Sequence, residues 1–237
     1  LTTTLYLHTA SSAIAGTLPT TSQSTNFTAN ASFDATTINR SMNTIVGTSQ
    51  TQLTQTWTST AVWNIYVTKF VSNPLNQTSI ASNTWTVGAG FGGILSAAGR
   101  WPGSSTITPS KYPSTLYVWR PSTGALIGTI FDAISATGSN YLRDSAETAV
   151  IVTFTGSPVT CIVGDVLIFE QWGRVNATSS QNYFYYFDGT NTTFTDSTTQ
   201  TSIASYIQTP ETISFSIPPV VCTPTGKTVI NKFISKH

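Results

Sequence analysis

Two charged side chains stand in this sequence where charge is costly. Lys69 lies within the apolar run Ala61–Val71, and Glu170 closes the apolar stretch that begins at Val159. Unpaired, each would carry a large desolvation penalty, so a buried Lys69–Glu170 ion pair is the first expectation. The same two groups allow a sharper chemistry. A lysine amine can displace ammonia from an asparagine carboxamide, with Glu170 shuttling the proton, and the loss of one ammonia from the intact mass would report it.

Other chemistry finds little to work with. The two histidines, His8 and His237, lie near opposite ends of the chain, and no Gly-x-Ser-x-Gly elbow occurs. Two-carboxylate hydrolysis is formally open, because nine acids are present. Gly88-Ala-Gly90-Phe-Gly92-Gly93 has the Gly-x-Gly-x-x-Gly form. A dinucleotide site needs a helix next and an acid about 20 residues on. Here Gly99-Arg100-Trp101-Pro102-Gly103 breaks any helix and the next acid is Asp132, so a flexible loop is expected. Gly226-Lys227-Thr228 lacks the glycine a phosphate loop requires at position 221, which is Val221. Asp144, Glu147 and Asp165 are too few and scattered for a hard cation, which needs clustered oxygens. No catalytic, cofactor or metal residue is therefore assigned, and the chain is expected not to be an enzyme. Six Trp residues and the run Tyr183–Phe187 would suit sugar stacking, but they alternate with strand residues as core residues do.

Two modifications are open. The two cysteines, Cys161 and Cys222, fit one disulfide in an oxidising compartment, or two buried thiols. Asn-x-Ser/Thr sequons occur at Asn26, Asn30, Asn39, Asn76, Asn176 and Asn191, candidate sites for covalent glycans on an exported chain. A first residue other than Met fits a removed leader or a trimmed chain.

The elements that must position these groups are strands. Alternating or continuous apolar runs mark Leu1–His8, Ala61–Val71, Leu116–Trp119, Ala125–Phe131, Ala149–Phe154, Val159–Phe169, Asn182–Phe187 and Ile213–Ile217. Pro121–Gly124, Gly156–Pro158 and Asp188-Gly189 supply turns, and Asp188–Asn191 predicts a hairpin between Tyr183–Phe187 and Thr192–Thr195. No convincing helix is present. The expected fold is all-β, a single β-sandwich or jelly roll of about ten strands spanning 9–217. Residues 1–8 are a possible donor strand, and 218–237, with three of the five lysines and no acid, a C-terminal extension.

Composition narrows function further. Thr and Ser fill 74 of the 237 positions, whereas Asp, Glu, Lys and Arg fill 19. An average domain is about a quarter charged. With a net charge of +1 and no basic stripe, nothing argues for nucleic acid, and no apolar run is long enough to span a membrane. A surface of hydroxyls rather than ions puts little repulsion between copies.

Several strings carry a resemblance: Tyr6-Leu7-His8 with Gly16-Thr-Leu-Pro19, Asn39-Arg-Ser-Met42, Phe70-Val-Ser-Asn-Pro-Leu75, Tyr117–Gly124, Gly164–Glu170 and Ser205–Glu211. Over residues 3–217 the chain resembles a diffuse family of Thr/Ser-rich all-β proteins from environmental microbes and their viruses. The resemblance implies a structural or surface role. In composition alone the chain is similar to archaeal extracellular thread subunits joined by donor strands. The leading expectation is a self-assembling extracellular filament subunit whose partner is itself, linked by strand complementation. The donor would be Leu1–His8, through Leu1, Leu5 and Leu7, or else Thr228–Ile234. Pairing of Leu1–His8 within its own domain is the competing expectation. A virion protein (tail, fibre or decoration) and a carbohydrate-binding adhesin are the alternatives.

Overall fold

The computed structural model describes residues 1–24, 39–94, 114–132, 148–196 and 198–216, with backbone alone for 55–67, 93–94, 148 and 172–183. Eleven strands occur, and no helix is present among the described residues. They are β1 (Thr3–Ser11), β2 (Asn39–Asn43), β3 (Thr51–Ser72), β4 (Ser79–Ile80), β5 (Thr84–Ile94), β6 (Ser114–Arg120), β7 (Ala125–Asp132), β8 (Thr148–Thr155), β9 (Val159–Thr160), β10 (Val166–Phe187) and β11 (Tyr206–Thr209). The fold is all-β.

Nine strands form one sheet in the order β7-β6-β10-β3-β2-β1-β11-β5-β8, and β4 pairs with β9 separately. β10 also pairs with β5, so β10-β3-β2-β1-β11-β5 close into a ring. Every ladder is antiparallel except β2–β3. The ring encloses the main core, which includes Leu5, Leu7, Met42, Phe70, Trp85, Val87, Phe169, Tyr185 and Phe187. Alternation of side chains along a strand sends the neighbours of these residues outward. On the outer face of β3, β6 and β10 a second cluster forms from Val71, Tyr117, Trp119, Val166 and Ile168, covered by Ile14 and Leu18. Residues 12–24 thus form a strap across the sheet.

β3 and β10 are each 22 residues long, against about 3–10 in ordinary strands. They pair along nearly their whole length. Phe169 and Phe187 lie 18 positions apart, about 60 Å in a straight strand. Yet the ring of Phe70, the cross-strand partner of Phe169, lies 5.1 Å from that of Phe187. The two-stranded ribbon must therefore double back. Register irregularities at Val175/Ala177 and Ala177/Gln181 provide the bend, as bulges do. Both ends of the ribbon are anchored in the core, and its middle forms an arm.

The donor candidate Leu1–His8 lies largely in β1, which pairs with β2 and β11 of its own chain; Leu5 and Leu7 are buried and Leu1 is exposed. Other sequence expectations are corrected. The expected hairpin at Asp188–Asn191 does not form, because β3 and β5 already occupy both edges of β10 there. The glycine run Gly88–Gly93 is strand, not loop. Its missing side chains admit aromatic rings: a Cβ on Gly88 would meet the Tyr206 ring at 2.6 Å. Val159–Phe169 is split by a turn at Gly164, whose φ is +96°. Of Ile213–Ile217, the described residues 213–216 contribute a single bridge, Phe215 to Leu75.

Candidate functional site: a polar row beneath the strap

The strap is stitched to the sheet by polar groups rather than by a ladder. Thr17 N donates to Pro121 O at 2.9 Å, and Trp119 Nε1 donates to Thr17 O at 2.7 Å. Beneath it lie the two charged residues singled out above. Lys69 and Glu170 are direct cross-strand partners on β3 and β10, 2% and 0% exposed. Glu170 accepts from Ser22 Oγ (2.6 Å), Tyr117 Oη (2.8 Å) and the Gln23 amide (3.3 Å), while the Lys69 amine donates to the Pro19 carbonyl. Burial pushes the Glu170 carboxyl up; the hydrogen bonds and Lys69 offset that only in part. Burial likewise pushes the Lys69 amine down, against the pull of Glu170. Both groups are thus drawn toward their neutral forms.

Asn39 completes the row. It begins β2 and is the parallel-ladder partner of Lys69 on the side away from Glu170. Its backbone carbonyl accepts from Ser12 N at 2.6 Å, whereas its Oδ1 is buried without a hydrogen-bond partner. Sequence reasoning found Lys69 and Glu170 because charge is conspicuous in apolar strands. It treated Asn39 only as a sequon, since nothing local pairs residue 39 with residue 69.

A second polar cluster closes the ring at the end of β10. Asp188, at φ 60°, accepts from Thr9 N (3.0 Å) and Thr9 Oγ1 (2.5 Å) and pairs with His8 Nδ1 (2.7 Å). With the Thr9 hydroxyl committed to the carboxylate, the group is a clamp on β1. Burial alone would raise the Asp188 carboxyl, but the bonds from Thr9 and His8 outweigh it and hold it below the usual range. A lowered folded-state value stabilises fully above the unfolded carboxyl value of about 3.9 and is lost as pH falls through the folded one. Glu170, raised, has the opposite sign: its contribution is present at low pH and fades as pH rises. The urea midpoint of the wild type is therefore expected to fall below pH about 4 more steeply than that of Asp188→Asn. Parallel curves would show that the clamp contributes nothing.

The remaining described candidates are structural in their surroundings. Asp165 caps the Gly164 turn, accepting from Ile162 N at 2.9 Å and from Arg120 at 2.7 and 2.9 Å. A cleft of about 540 Å³ between β7 and β8 is lined by Phe131, Asp132 and Phe154, and its carboxylate already accepts from Ser24 and Thr115. Cys161 is buried, its thiol facing the Gln77 carbonyl at 3.5 Å, and burial raises its pKa; Cys222 lies outside the described residues. Of the sequons, Asn76 is exposed, Asn191 is tied to Gln200 at 3.1 Å, and Asn176 sits at the bend of β10. Asn26, Asn30 and the segment 218–237 lie outside the described residues. Trp85, Trp119, Tyr185 and Phe187 are buried and not available to a sugar. Among the described residues, no three His, Cys, Asp or Glu side chains gather as metal ligands, and no helix is long and apolar enough to cross a membrane.

No protein-family model matches the sequence, and no curated protein matches it. Among solved structures, chains in two structures of infectious bursal disease virus align with it. The Gt strain aligns at 11% identity and TM-score 0.24, the Gx strain at 10% and 0.26. Each alignment covers 70% of this chain and 37% of the viral one. Similarity this low carries no argument about fold or function.

Proposed function

We propose that the chain is a self-assembling extracellular structural subunit, of a filament or pilus-like appendage, joined to its neighbours along the open edge of β3. The observation that carries this reading is the edge itself. Among the described residues, Thr51–Thr68 pair with β10 on one side and with no strand on the other. A free edge presents a row of backbone donors and acceptors, and proteins that stay monomeric blunt such edges with charge, Pro or bulges. These 18 residues contain no Asp, Glu, Lys, Arg, Pro or Gly. Gln52 and Thr54 on this edge are exposed, so a neighbour's strand can reach it there. With β1 committed to its own sheet, the donor in this reading is the apolar segment Thr228–Ile234 of a neighbour.

Charge placed on the edge tests it. Gln52 and Thr54 are exposed. The double variant Gln52→Lys, Thr54→Lys is expected to keep the wild-type circular dichroism and to stay monomeric in sedimentation and negative-stain images. Assembly undiminished in that variant would end the proposal. Removal of 218–237 should have the same effect as the charges if that segment is the donor.

A further inference from the structure

We infer that Lys69 and Asn39 become joined by an intramolecular amide bond, with Glu170 as the acid that carries the proton. Asn39, Lys69 and Glu170 are register partners across β2, β3 and β10, so their side chains leave the same face of three adjacent strands. That face is roofed by the strap, whose Ser22 and Gln23 bond to Glu170 and whose Pro19 carbonyl takes the Lys69 amine. The Asn39 Oδ1 is buried with no donor to it, a costly state for a carbonyl oxygen. A protonated Glu170 would supply that donor.

The electrostatics then favour the reaction. An amine is a nucleophile only when unprotonated, and burial lowers the Lys69 pKa. An acid must hold its proton to give it up, and burial raises that of Glu170. The Lys69 Nζ attacks Asn39 Cγ, and a Cγ–Nζ bond forms while the Glu170 carboxyl stabilises the charge on Oδ1. Glu170 gives its proton to Nδ2 and is reprotonated from Nζ. The Cγ–Nδ2 bond breaks and ammonia leaves. Amine and carboxamide become a secondary amide and ammonia, with no change of oxidation state and no co-reactant. Fixing both groups on paired strands replaces a bimolecular encounter with an intramolecular one, and the buried site keeps out the water that would compete. The bond would tie β2 to β3 at the ring's one parallel junction, and it would consume the Asn39 sequon.

Mass spectrometry of the full chain, produced in a host without N-glycosylation and reduced before measurement, decides it. The expected mass is the sequence mass less one ammonia, with a branched tryptic peptide joining the Asn39 and Lys69 segments. Lys69→Met and Asn39→Ala should each restore the full mass. An unmodified wild-type mass would overturn the inference, as would an ammonia loss located in an unbranched peptide. These readouts do not depend on any variant folding. The bond persisting in Glu170→Gln would overturn the role given to Glu170.

Discussion

Glu170→Ala is expected to lower the free energy of unfolding by about 3–5 kcal/mol, since each buried donor left without its acceptor costs about 1–3 kcal/mol. Glu170 is fully buried, and its carboxyl is the acceptor on which the Ser22 hydroxyl, the Tyr117 hydroxyl and the Gln23 amide converge. Truncation strands those donors and leaves a void beside Lys69. Since a domain is stable by only about 5–15 kcal/mol, the loss is a large share of the whole. The strap should loosen first, because two of the three donors belong to it. Glu170→Gln keeps the shape and an acceptor oxygen, and should cost clearly less. Urea midpoints of the two variants measure the difference, and hydrogen exchange at Thr17 reports the strap. An alanine variant within about 1 kcal/mol of wild type, the size of an ordinary point-mutation effect, would show that the row is not holding the sheet.

Removing residues 1–11 is expected to unfold the subunit rather than merely stop its assembly. β1 occupies the position between β2 and β11, so its loss opens the ring and leaves two ladders unpaired. Leu5 and Leu7 leave the core, each 1% exposed, and each such loss is worth about 2–5 kcal/mol. The Asp188 clamp goes with them, as does the bond from Ile213 N to Thr3 Oγ1 at 2.7 Å. The sum reaches the whole stability of a typical domain. The truncated chain should lose its β-sheet circular dichroism, and a synthetic peptide of residues 1–11 should restore it. A truncated chain that stays folded would return Leu1–His8 to the role of an exchangeable strand.

How far the sequence could be read depended on the range of the interaction. The all-β class was legible from alternation, and so were the Pro121–Gly124 turn and the strands around it, since these are local. Gly124, at φ 65°, closes that turn by donating to Arg120 O at 2.9 Å. Lys69 and Glu170 were legible because a charge in an apolar run needs a partner. Their third neighbour, Asn39, was not, because a parallel pairing leaves no turn in the sequence to announce it. The arm was missed for a different reason. Residues 51–60 and 177–181 are mostly Thr, Ser and Gln and show no apolar alternation. The hairpin at Asp188 was over-read: its turn residues are correct, but the edge it needed was already taken.

The closed ring has a consequence for the order of events during synthesis. β1 is made first, yet its partner β11 begins at Tyr206, and β3 must wait for β10. Among the described strands, only β6 and β7 pair as neighbours joined by a tight turn. Folding of such a topology is slow, because chain entropy is surrendered before distant contacts repay it. For most of its emergence the chain therefore exists as unpaired strands. Hydroxyls in place of apolar residues along the waiting edges would keep those strands in solution until their partners arrive.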